Sequence, residues 1–426
     1  MSSDRLVVVM GDVVAGVLSR DSRAQLHFVY DDAYRDGATA TALSISMPLA
    51  VREHPHRVVS PWLWGLLPDN DAVLSRWARH FQVSVTSAFS LLGTPIGEDC
   101  AGAARFVVPD RLADVLSRDA RVQHLSDEEV GERLAELRRD TTSWLGRGFD
   151  GRFSLAGAQA KMALAWHDGR WGLAGGSTPT THILKPAVIG LDDHDLNEHL
   201  CLSAARRAGL AAARSAIRRF ADESAIVVER YDRDRAGVNV TRIHQEDACQ
   251  ALGVSPRAKY QAEGGPSASD IASLISRAWT PVNAQRDRDR FLDALIWNWI
   301  IAGTDAHAKN FSFLLDAGDV RLAPLYDVAS ALPYGVHERK LRFAMKIGDD
   351  YDVYTRRDPW PDVARSFGVA YEHVRPRVQR LLEVAPDALR ESTLGEDVVE
   401  LNSALPARLL SLVADRVTRL VQLVSK

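Results

Sequence analysis

The chain has few cysteines and no long apolar run. Its 426 residues include only Cys100, Cys201 and Cys249, which are odd in number and far apart. This spacing excludes a disulfide framework and a CxxC metal knuckle, and it favours buried, reduced thiols. No apolar run reaches the roughly 18 residues of a membrane-spanning helix, and Asp and Arg interrupt the N-terminal segment where a signal peptide needs apolar residues. The sequence therefore predicts a cytoplasmic protein.

The chain also lacks a strong charge of one sign. Its formal net charge is −4 and its pI is near 6.4, which argues against a broad surface that coats nucleic acid. Apolar residues make up 46% and charged residues 25%, as is usual for soluble globular proteins. The sequence has no internal repeat and no low-complexity tract. Its length predicts two or three domains.

Three modules follow from the order of the patterns. Residues 1–110 begin with strand-like segments "RLVVVMG", "AQLHFVY" and "LSISMPL", and then a helix with Leu74, Trp77 and Phe81 at helical spacing. Residues 111–235 contain a charged connecting helix and several strands, including a hairpin whose turn is Asp168-Gly169. Residues 236–426 are predicted to be helical, apart from a hairpin at 311–325.

A polar loop, "GTDAHAKNF", interrupts the apolar pattern of the third module. It follows the apolar helix "FLDALIWNWIIA", and Gly303 is expected to end that helix. Asp305 and Asn310 have the D-x-x-x-x-N spacing of a kinase catalytic loop, in which Asp acts on the attacking hydroxyl and Asn supplies an oxygen to Mg²⁺. Lys309 could neutralise the transferring phosphoryl group. A polar loop that only caps the helix is the alternative.

The segments around this loop favour phosphoryl transfer. The hairpin after it ends at Asp327, the position of a kinase metal-binding Asp, although an N-cap of a following helix is the alternative. Upstream, "THILKP" ends an apolar strand in Lys185, which would pair with ATP phosphates. Glu198 on the next helix is the candidate partner of this lysine, with Asp195 second and an unpaired, solvated glutamate as the alternative.

Two further segments complete the predicted nucleotide site. "SLAGAQAK" is not a GxGxxG loop, but its small residues permit close approach of backbone N–H groups to phosphates. An ordinary hairpin turn is the alternative. "VVERYDR" is the predicted hinge, whose backbone would meet adenine. The predicted ATP-binding residues are Ala156, Gly157, Ala158, Gln159, Lys161, Lys185, Glu229, Arg230, Tyr231 and His307, and for His307 a structural role is the alternative.

In this order the motifs resemble the HipA-type serine/threonine kinase toxins. The matching segments include "SLAGAQAK", "HQEDACQALG", "KYQAEGGPS", "TDAHAKNFSF" and "LAPLYDVASALP", and, in the first module, "GLLPDN" and "GEDCAGAARFVVP". The resemblance implies an α+β, two-lobed kinase-like fold. The fold would have an α/β N-terminal lobe with an extra N-terminal subdomain, and an all-helical C-terminal lobe.

The resemblance also implies roles and partners. Asp305 would be the catalytic base, Asn310 and Asp327 the metal ligands, and Ser154 the autophosphorylated serine whose phosphate repels ATP and silences the kinase. The cofactors would be ATP and Mg²⁺. The partner would be a HipB-like helix-turn-helix antitoxin that binds operator DNA, and the substrate a translation protein, typically an aminoacyl-tRNA synthetase.

Two other functions share part of this pattern. A small-molecule phosphotransferase has the same late Asp, Asn and Asp, but it predicts neither a regulatory Ser154 nor the first module. A nucleotide-binding co-repressor that acts with an antitoxin on DNA would not need an intact base and metal ligands.

Overall fold

The N-terminal subdomain is a five-stranded antiparallel sheet covered by helices. The computed structural model describes residues 4–146, 148–149, 152–237 and 240–425. Its first elements are β1 (Arg5–Met10), β2 (Val13–Arg20), β3 (Leu26–Tyr30), α1 (Asp32–Arg35), β4 (Glu53–His54), α2 (His56–Gly65), α3 (Asp71–Phe81), α4 (Ala88–Leu92) and β5 (Ala104–Val107). The strand order is β4-β3-β2-β1-β5. Helix α3 confirms the predicted helix, and Asn70 caps it by accepting from the backbone of Ala72 and Val73.

One predicted strand in this subdomain is wrong. The segment 43–49 forms turns, and its only ladder contact among the described residues is an isolated bridge between Ser44 and Met47. Leu43 and Met47 are nevertheless fully buried, and they pack into the same core as β1 and β3. The alternating apolar residues are therefore buried, but the backbone that carries them is not an extended strand.

The N-terminal lobe is a six-stranded antiparallel sheet with helices on it. Its elements are α5 (Leu112–Leu116), β6 (Ala120–Leu125), α6 (Asp127–Arg139), β7 (Met162–His167), β8 (Arg170–Gly176), β9 (His182–Pro186), α7 (His194–Arg207), β10 (Ser215–Phe220) and β11 (Glu223–Glu229). The strand order is β10-β11-β9-β7-β8-β6. The predicted hairpin is confirmed as β7–β8, and Asp168 and Gly169 both have the positive φ that its turn requires.

The C-terminal lobe is mainly helical but not all-helical. Its elements, after the small hairpin β12 (Arg233–Asp234) and β13 (Thr241–Arg242), are β14 (His244–Asp247), α8 (Ala248–Ala251), α9 (Ala268–Ala278), α10 (Pro281–Ile301), β15 (Ser312–Asp316), β16 (Asp319–Leu322), β17 (Arg342–Ile347), β18 (Asp350–Asp352), α11 (Trp360–Phe367), α12 (Tyr371–Ser392), α13 (Glu396–Val399) and α14 (Leu405–Val424). The expected hairpin is confirmed as β15–β16, but β14 adds a third strand to it and β17–β18 form a second small sheet. No helix in the described part of the chain is both long and apolar enough to cross a bilayer.

The three modules share their cores. One apolar cluster joins α2 and α3 of the subdomain to β7 and β9 of the N-terminal lobe. A second joins α7, β10 and β11 of that lobe to α10, α12 and α14 of the C-terminal lobe. The N-terminal subdomain therefore packs directly on the sheet of the N-terminal lobe, and the two share one apolar core.

A buried ion cluster also joins the subdomain to the segment after β11. Arg233 bridges Asp99 (3.0 Å) and Asp232 (2.9 Å), and Arg230 contacts Asp232 at 2.7 Å. These side chains are at most 6% exposed. Because removal of one partner leaves a buried charge uncompensated, the junction is expected to be sensitive to the loss of any one of these charges.

Replacing Asp99 with alanine is expected to destabilise the fold by about 3–5 kcal/mol, because Arg233 would lose a buried counter-ion. A lower melting temperature in calorimetry would report it. Asp349→Ala is the matched control, because Asp349 and its partner Arg357 are both exposed, at 72% and 71%. The free energy of unfolding of this variant is expected to change by about 0–1 kcal/mol. Equal melting temperatures for both variants would contradict the prediction.

Candidate active site

A cleft of about 800 Å³ opens between the six-stranded sheet and the C-terminal lobe. Residues of β9, α7, the segment after β11 and the loop after α10 line it. The structure brings together in this cleft the residues predicted for ATP, metal and catalysis, which are Ala156, Gly157, Ala158, Gln159, Lys161, Lys185, Glu229, Arg230, Tyr231, Asp305, His307, Lys309, Asn310 and Asp327. Ser154 is fully buried.

The loop after α10 begins with a tight approach of backbone to side chain. Helix α10 ends at Ile301, and it is Ala302, not Gly303, that adopts the left-handed conformation, with φ +53°. A Cβ on Gly303 would overlap the side-chain oxygen of the buried Asn298. The expectation that Gly303 supplies the helix stop is therefore corrected: glycine is required here for space.

Asp305 and Asn310 lie side by side. The amide nitrogen of Asn310 donates to the backbone oxygen of Asp305 (2.7 Å), and the Tyr260 hydroxyl donates to Asp305 Oδ1 (3.1 Å). Burial, reinforced by the negative charge of Asp327, raises the pKa of Asp305 to about 6. A carboxyl with this pKa is ionised at neutral pH and remains a usable proton acceptor.

Lys185 connects two acidic groups at the back of the cleft. Its ammonium donates to Glu198 Oε1 (2.8 Å) and Oε2 (3.0 Å), and to Asp327 Oδ1 (2.8 Å). Glu198 is the predicted partner, and it is buried rather than solvated. Burial, which is only partial for Asp327, works against ionisation of these groups, but the pairing raises the pKa of Lys185 and holds the pKa of Asp327 well below its usual range.

Asp327 is not a helix cap. The chain after it continues without regular structure to the short turn Leu332–Tyr334. Asp327 itself has φ +56°, a left-handed conformation that is uncommon for residues other than glycine, asparagine and aspartate. The alternative reading of Asp327 as an N-cap is wrong, and its carboxylate faces the cleft.

The segment 154–161 is a loop that leads into β7. Its first residue, Ser154, forms only an isolated bridge with Cys100, so a strand before the loop, which the hairpin prediction required, is absent from the described residues. Gly157 has φ +100°, and a Cβ there would lie 2.5 Å from Lys161 Nζ. The Lys161 ammonium donates to the Ala156 carbonyl oxygen, and burial and the charge of Lys185 lower its pKa to about 8.

The Ser154 side chain holds this loop against the subdomain. Its hydroxyl donates to the Leu66 carbonyl oxygen (2.8 Å), and its N–H donates to the Asp99 carbonyl oxygen (2.9 Å). The hydroxyl has no space around it, because Ser154 is 0% exposed. A phosphate on Ser154 is therefore incompatible with this loop conformation.

In the predicted hinge, both the backbone N–H and the side chain of Arg230 are engaged within the protein. Arg230 donates its N–H to the Thr181 carbonyl oxygen (2.9 Å), and its guanidinium lies in the buried ion cluster. The Tyr231 hydroxyl donates to Gln245 Oε1 (2.7 Å). A nucleotide contact by the Arg230 guanidinium is therefore excluded in this conformation.

Among the described residues, three buried polar atoms that line the cleft have no hydrogen-bond partner: His194 Nδ1 and one atom from each of two predicted ATP-binding residues. Within the residues that the structure describes, Gln159 Nε2 and His307 Nδ1 make no hydrogen bond. Burial lowers the pKa of His307 to about 4, so the ring is neutral near pH 7. Unpartnered buried groups are costly, and both atoms suit a site that is completed by a polar ligand.

Three residues in the site were missed from sequence. Asp69 of the subdomain accepts from Lys309 Nζ (2.7 Å) and Lys259 Nζ (3.1 Å), and Tyr260 holds Asp305. They belong to the segments "GLLPDN" and "KYQAEGGPS", which the resemblance included. No spacing rule links positions 69, 259 and 305, because only the folded chain brings them together.

Family models match most of the chain. Residues 6–107 match the HipA N-terminal domain, and residues 153–389 match the HipA-like C-terminal domain. The Sinorhizobium fredii protein Y4mE, which is named as a putative kinase, is 35% identical over 384 residues, covering 88% of this chain and 89% of the relative.

Two comparisons with proteins of Shewanella oneidensis indicate the same family. Its serine/threonine-protein kinase toxin HipA is 31% identical over 362 residues, covering 80% of this chain and 78% of the relative. A solved complex of HipA, HipB and operator DNA from the same organism contains a chain that superposes with a TM-score of 0.81 at 26% identity, covering 99% of this chain and 98% of that one. The expected mixed, two-lobed fold is thereby confirmed.

Proposed function

The chain belongs to the HipA family, and from that premise we propose that it is an ATP-dependent serine/threonine protein kinase that acts as the toxin of a toxin–antitoxin module. The observation that carries the proposal is the Lys185 ammonium held between Glu198 and Asp327 in the same cleft as Asp305 and Asn310. This is the set of charges that positions and stabilises a transferring phosphoryl group.

The residues of the cleft fit Mg²⁺ and a nucleotide. The Asn310 amide nitrogen is engaged by the Asp305 backbone, which leaves the amide oxygen for a cation, and Asp327 adds carboxylate oxygens, the hard ligands that Mg²⁺ prefers. When bound, Mg²⁺ neutralises charge on the phosphates. Lys185 and Lys161 would bind phosphate oxygens, and Gln159 Nε2 would gain an acceptor.

Asp305 acts on the attacking hydroxyl in this proposal. The Tyr260 hydroxyl orients the carboxylate, and the Asn310 side chain holds the Asp305 backbone oxygen. The neutral His307 packs edge-on against the Tyr260 ring at 5.1 Å. Asp305 would accept the hydroxyl proton of a serine or threonine as the oxygen–phosphorus bond forms and the bond to the ADP leaving group breaks.

Regulation and partners follow from the family. We propose that phosphorylation of Ser154 expels the loop 154–161, because a dianion cannot occupy the buried Ser154 site beside Leu66. The likeness to the chain bound to HipB and operator DNA supports a helix-turn-helix antitoxin as partner and operator DNA as an indirect one. The substrate we propose is an aminoacyl-tRNA synthetase.

The test is transfer of labelled phosphate from ATP with Mg²⁺ in the presence of cell lysate. The expected result is label on the chain itself, found at Ser154 by mass spectrometry, and on one dominant lysate protein. Label on a low-mass metabolite, with none on protein, would support a small-molecule phosphotransferase instead. Full operator repression by a chain that neither transfers phosphate nor arrests growth would support a co-repressor.

The pH dependence of transfer is a further expected outcome. Because burial raises the pKa of Asp305 to about 6, kcat/KM should fall as pH drops through about 6, where the base becomes protonated. An unburied Asp would lose activity only near its usual pKa of about 4. A pH–rate profile between pH 5 and pH 8 measures this, and a flat profile down to about pH 5 would contradict the role of Asp305 as base.

A further inference from the structure

A turn of the N-terminal subdomain reaches into the cleft. Asp69 lies between α2 and α3, and its side chain is 13% exposed. Its N–H donates to the Gly157 carbonyl oxygen (3.0 Å), which belongs to the loop 154–161. Its carboxylate accepts from two lysines of the C-terminal lobe through different oxygens, Oδ1 from Lys309 (2.7 Å) and Oδ2 from Lys259 (3.1 Å).

Each of these lysines adjoins a residue of the proposed chemistry. Lys309 precedes Asn310, and its side chain is only 3% exposed. Lys259 precedes Tyr260, whose hydroxyl donates to Asp305. The Lys259 carbonyl oxygen also accepts from the N–H of Ala308 (3.4 Å). The two segments that orient Asp305 are thus joined to each other through the Asp69 carboxylate.

We infer that Asp69 is a positioning residue of the kinase site, supplied by the N-terminal subdomain, and that it fixes Asp305 and Asn310 through Lys259 and Lys309. The inference rests on the proposed kinase function. Charge explains the arrangement: the buried ammonium of Lys309 and the partly buried ammonium of Lys259 repel one another unless an anion lies between them. Burial works against ionisation of Asp69, but the charges of Lys309 and Lys259 lower its pKa, so the carboxylate is ionised.

The arrangement gives the subdomain a part in catalysis. Asp69 contacts neither of the proposed metal ligands, so its effect passes through the position of the loop 303–311. Displacement of a catalytic group by about 1 Å can cost about 10²-fold in rate. The loss should appear in kcat far more than in KM for ATP, because Lys185, Glu198 and the hinge form no hydrogen bond or ion pair with Asp69 or its two lysines. His307 is the one predicted ATP-binding residue in the loop 303–311.

The first test compares Asp69→Asn with Asp71→Asn in the full chain. Asp71 begins α3 two residues later, and its contact with Arg257 is fully exposed, at 83% and 81%. We expect kcat to fall about 10²-fold in Asp69→Asn with KM for ATP changed less than about threefold, and no change in Asp71→Asn. Unchanged kcat in Asp69→Asn, while the wild type transfers phosphate, would overturn the inference.

A double-mutant cycle separates an effect that passes from Asp69 through Lys259 from a general loss of stability. Lys259→Met removes one contact and should lower kcat about tenfold. If Asp69 acts through Lys259, the double variant should lose no more than Asp69→Asn alone. Losses that multiply would show independent effects and overturn the inference. Where Asp69→Asn does not fold, Lys259→Met alone decides, and unchanged kcat would then overturn it.

A second readout does not depend on activity. Hydrogen exchange of the backbone amides of Ala308 and Asn310 should be faster in Asp69→Asn than in the wild type and in Asp71→Asn. If the wild type shows no phosphate transfer, the proposed function fails, but faster exchange would still support Asp69 as the residue that fixes the loop. Unchanged exchange would overturn the inference with or without kinase activity.

Discussion

Asp305→Asn is expected to reduce kcat of phosphate transfer by about 10²–10⁴-fold, the usual contribution of a general base. Asparagine has nearly the same shape and can still accept the hydrogen bond from the Tyr260 hydroxyl, so the loop should keep its conformation. It cannot accept a proton from the attacking hydroxyl. Steady-state transfer to the labelled protein, measured at several ATP concentrations, gives kcat and KM separately.

The pattern of the loss identifies the role. An interaction made only in the transition state lowers kcat and kcat/KM equally, and KM for ATP should therefore stay within about threefold. Asp316→Asn is the control, because Asp316 is an exposed aspartate at the end of β15, the strand after the same loop. If Asp305→Asn retains more than about a tenth of the wild-type kcat, Asp305 is not the general base.

Much of this site could be predicted because each local pattern has a physical cause of its own. An apolar helix, a polar loop and a two-residue turn are all readable over a few residues, and α10, β15–β16 and the turn at Asp168-Gly169 have the predicted structure. The pairing of Lys185 with Glu198 is a short-range prediction too, since α7 follows β9 directly.

Other features could not be predicted because they depend on contacts between distant segments. The segment 43–49 is apolar because it packs beneath the sheet, and periodicity does not separate such a turn from a strand. β14 is a strand because it pairs with β15, which lies far along the chain. Its last residue, Asp247, is also the N-cap of α8, so the local pattern there indicates only the start of a helix. Asp69 joins Lys309 across 240 residues of chain, which no local pattern encodes.

Lys185→Met is expected both to slow transfer strongly and to lower the stability of the fold. Loss of an ammonium aimed at developing phosphate charge should cost about 10²–10³-fold in kcat. It would also leave Glu198, 1% exposed, without its counter-ion, while the Asp327 side chain is 37% exposed and can be solvated. The free energy of unfolding should therefore fall by about 3 kcal/mol, the lower end of the range for breaking a buried pair.

The two losses have different causes, and a second substitution separates them. In Lys185→Met with Glu198→Gln, no buried carboxylate lacks a partner charge, so most of the lost stability should return in thermal unfolding. Activity should not return, because neither introduced side chain carries a positive charge to the phosphates. Recovery of both would show that Lys185 serves the fold alone, whereas recovery of stability without activity is the result expected of a phosphate-binding lysine that Glu198 holds in place.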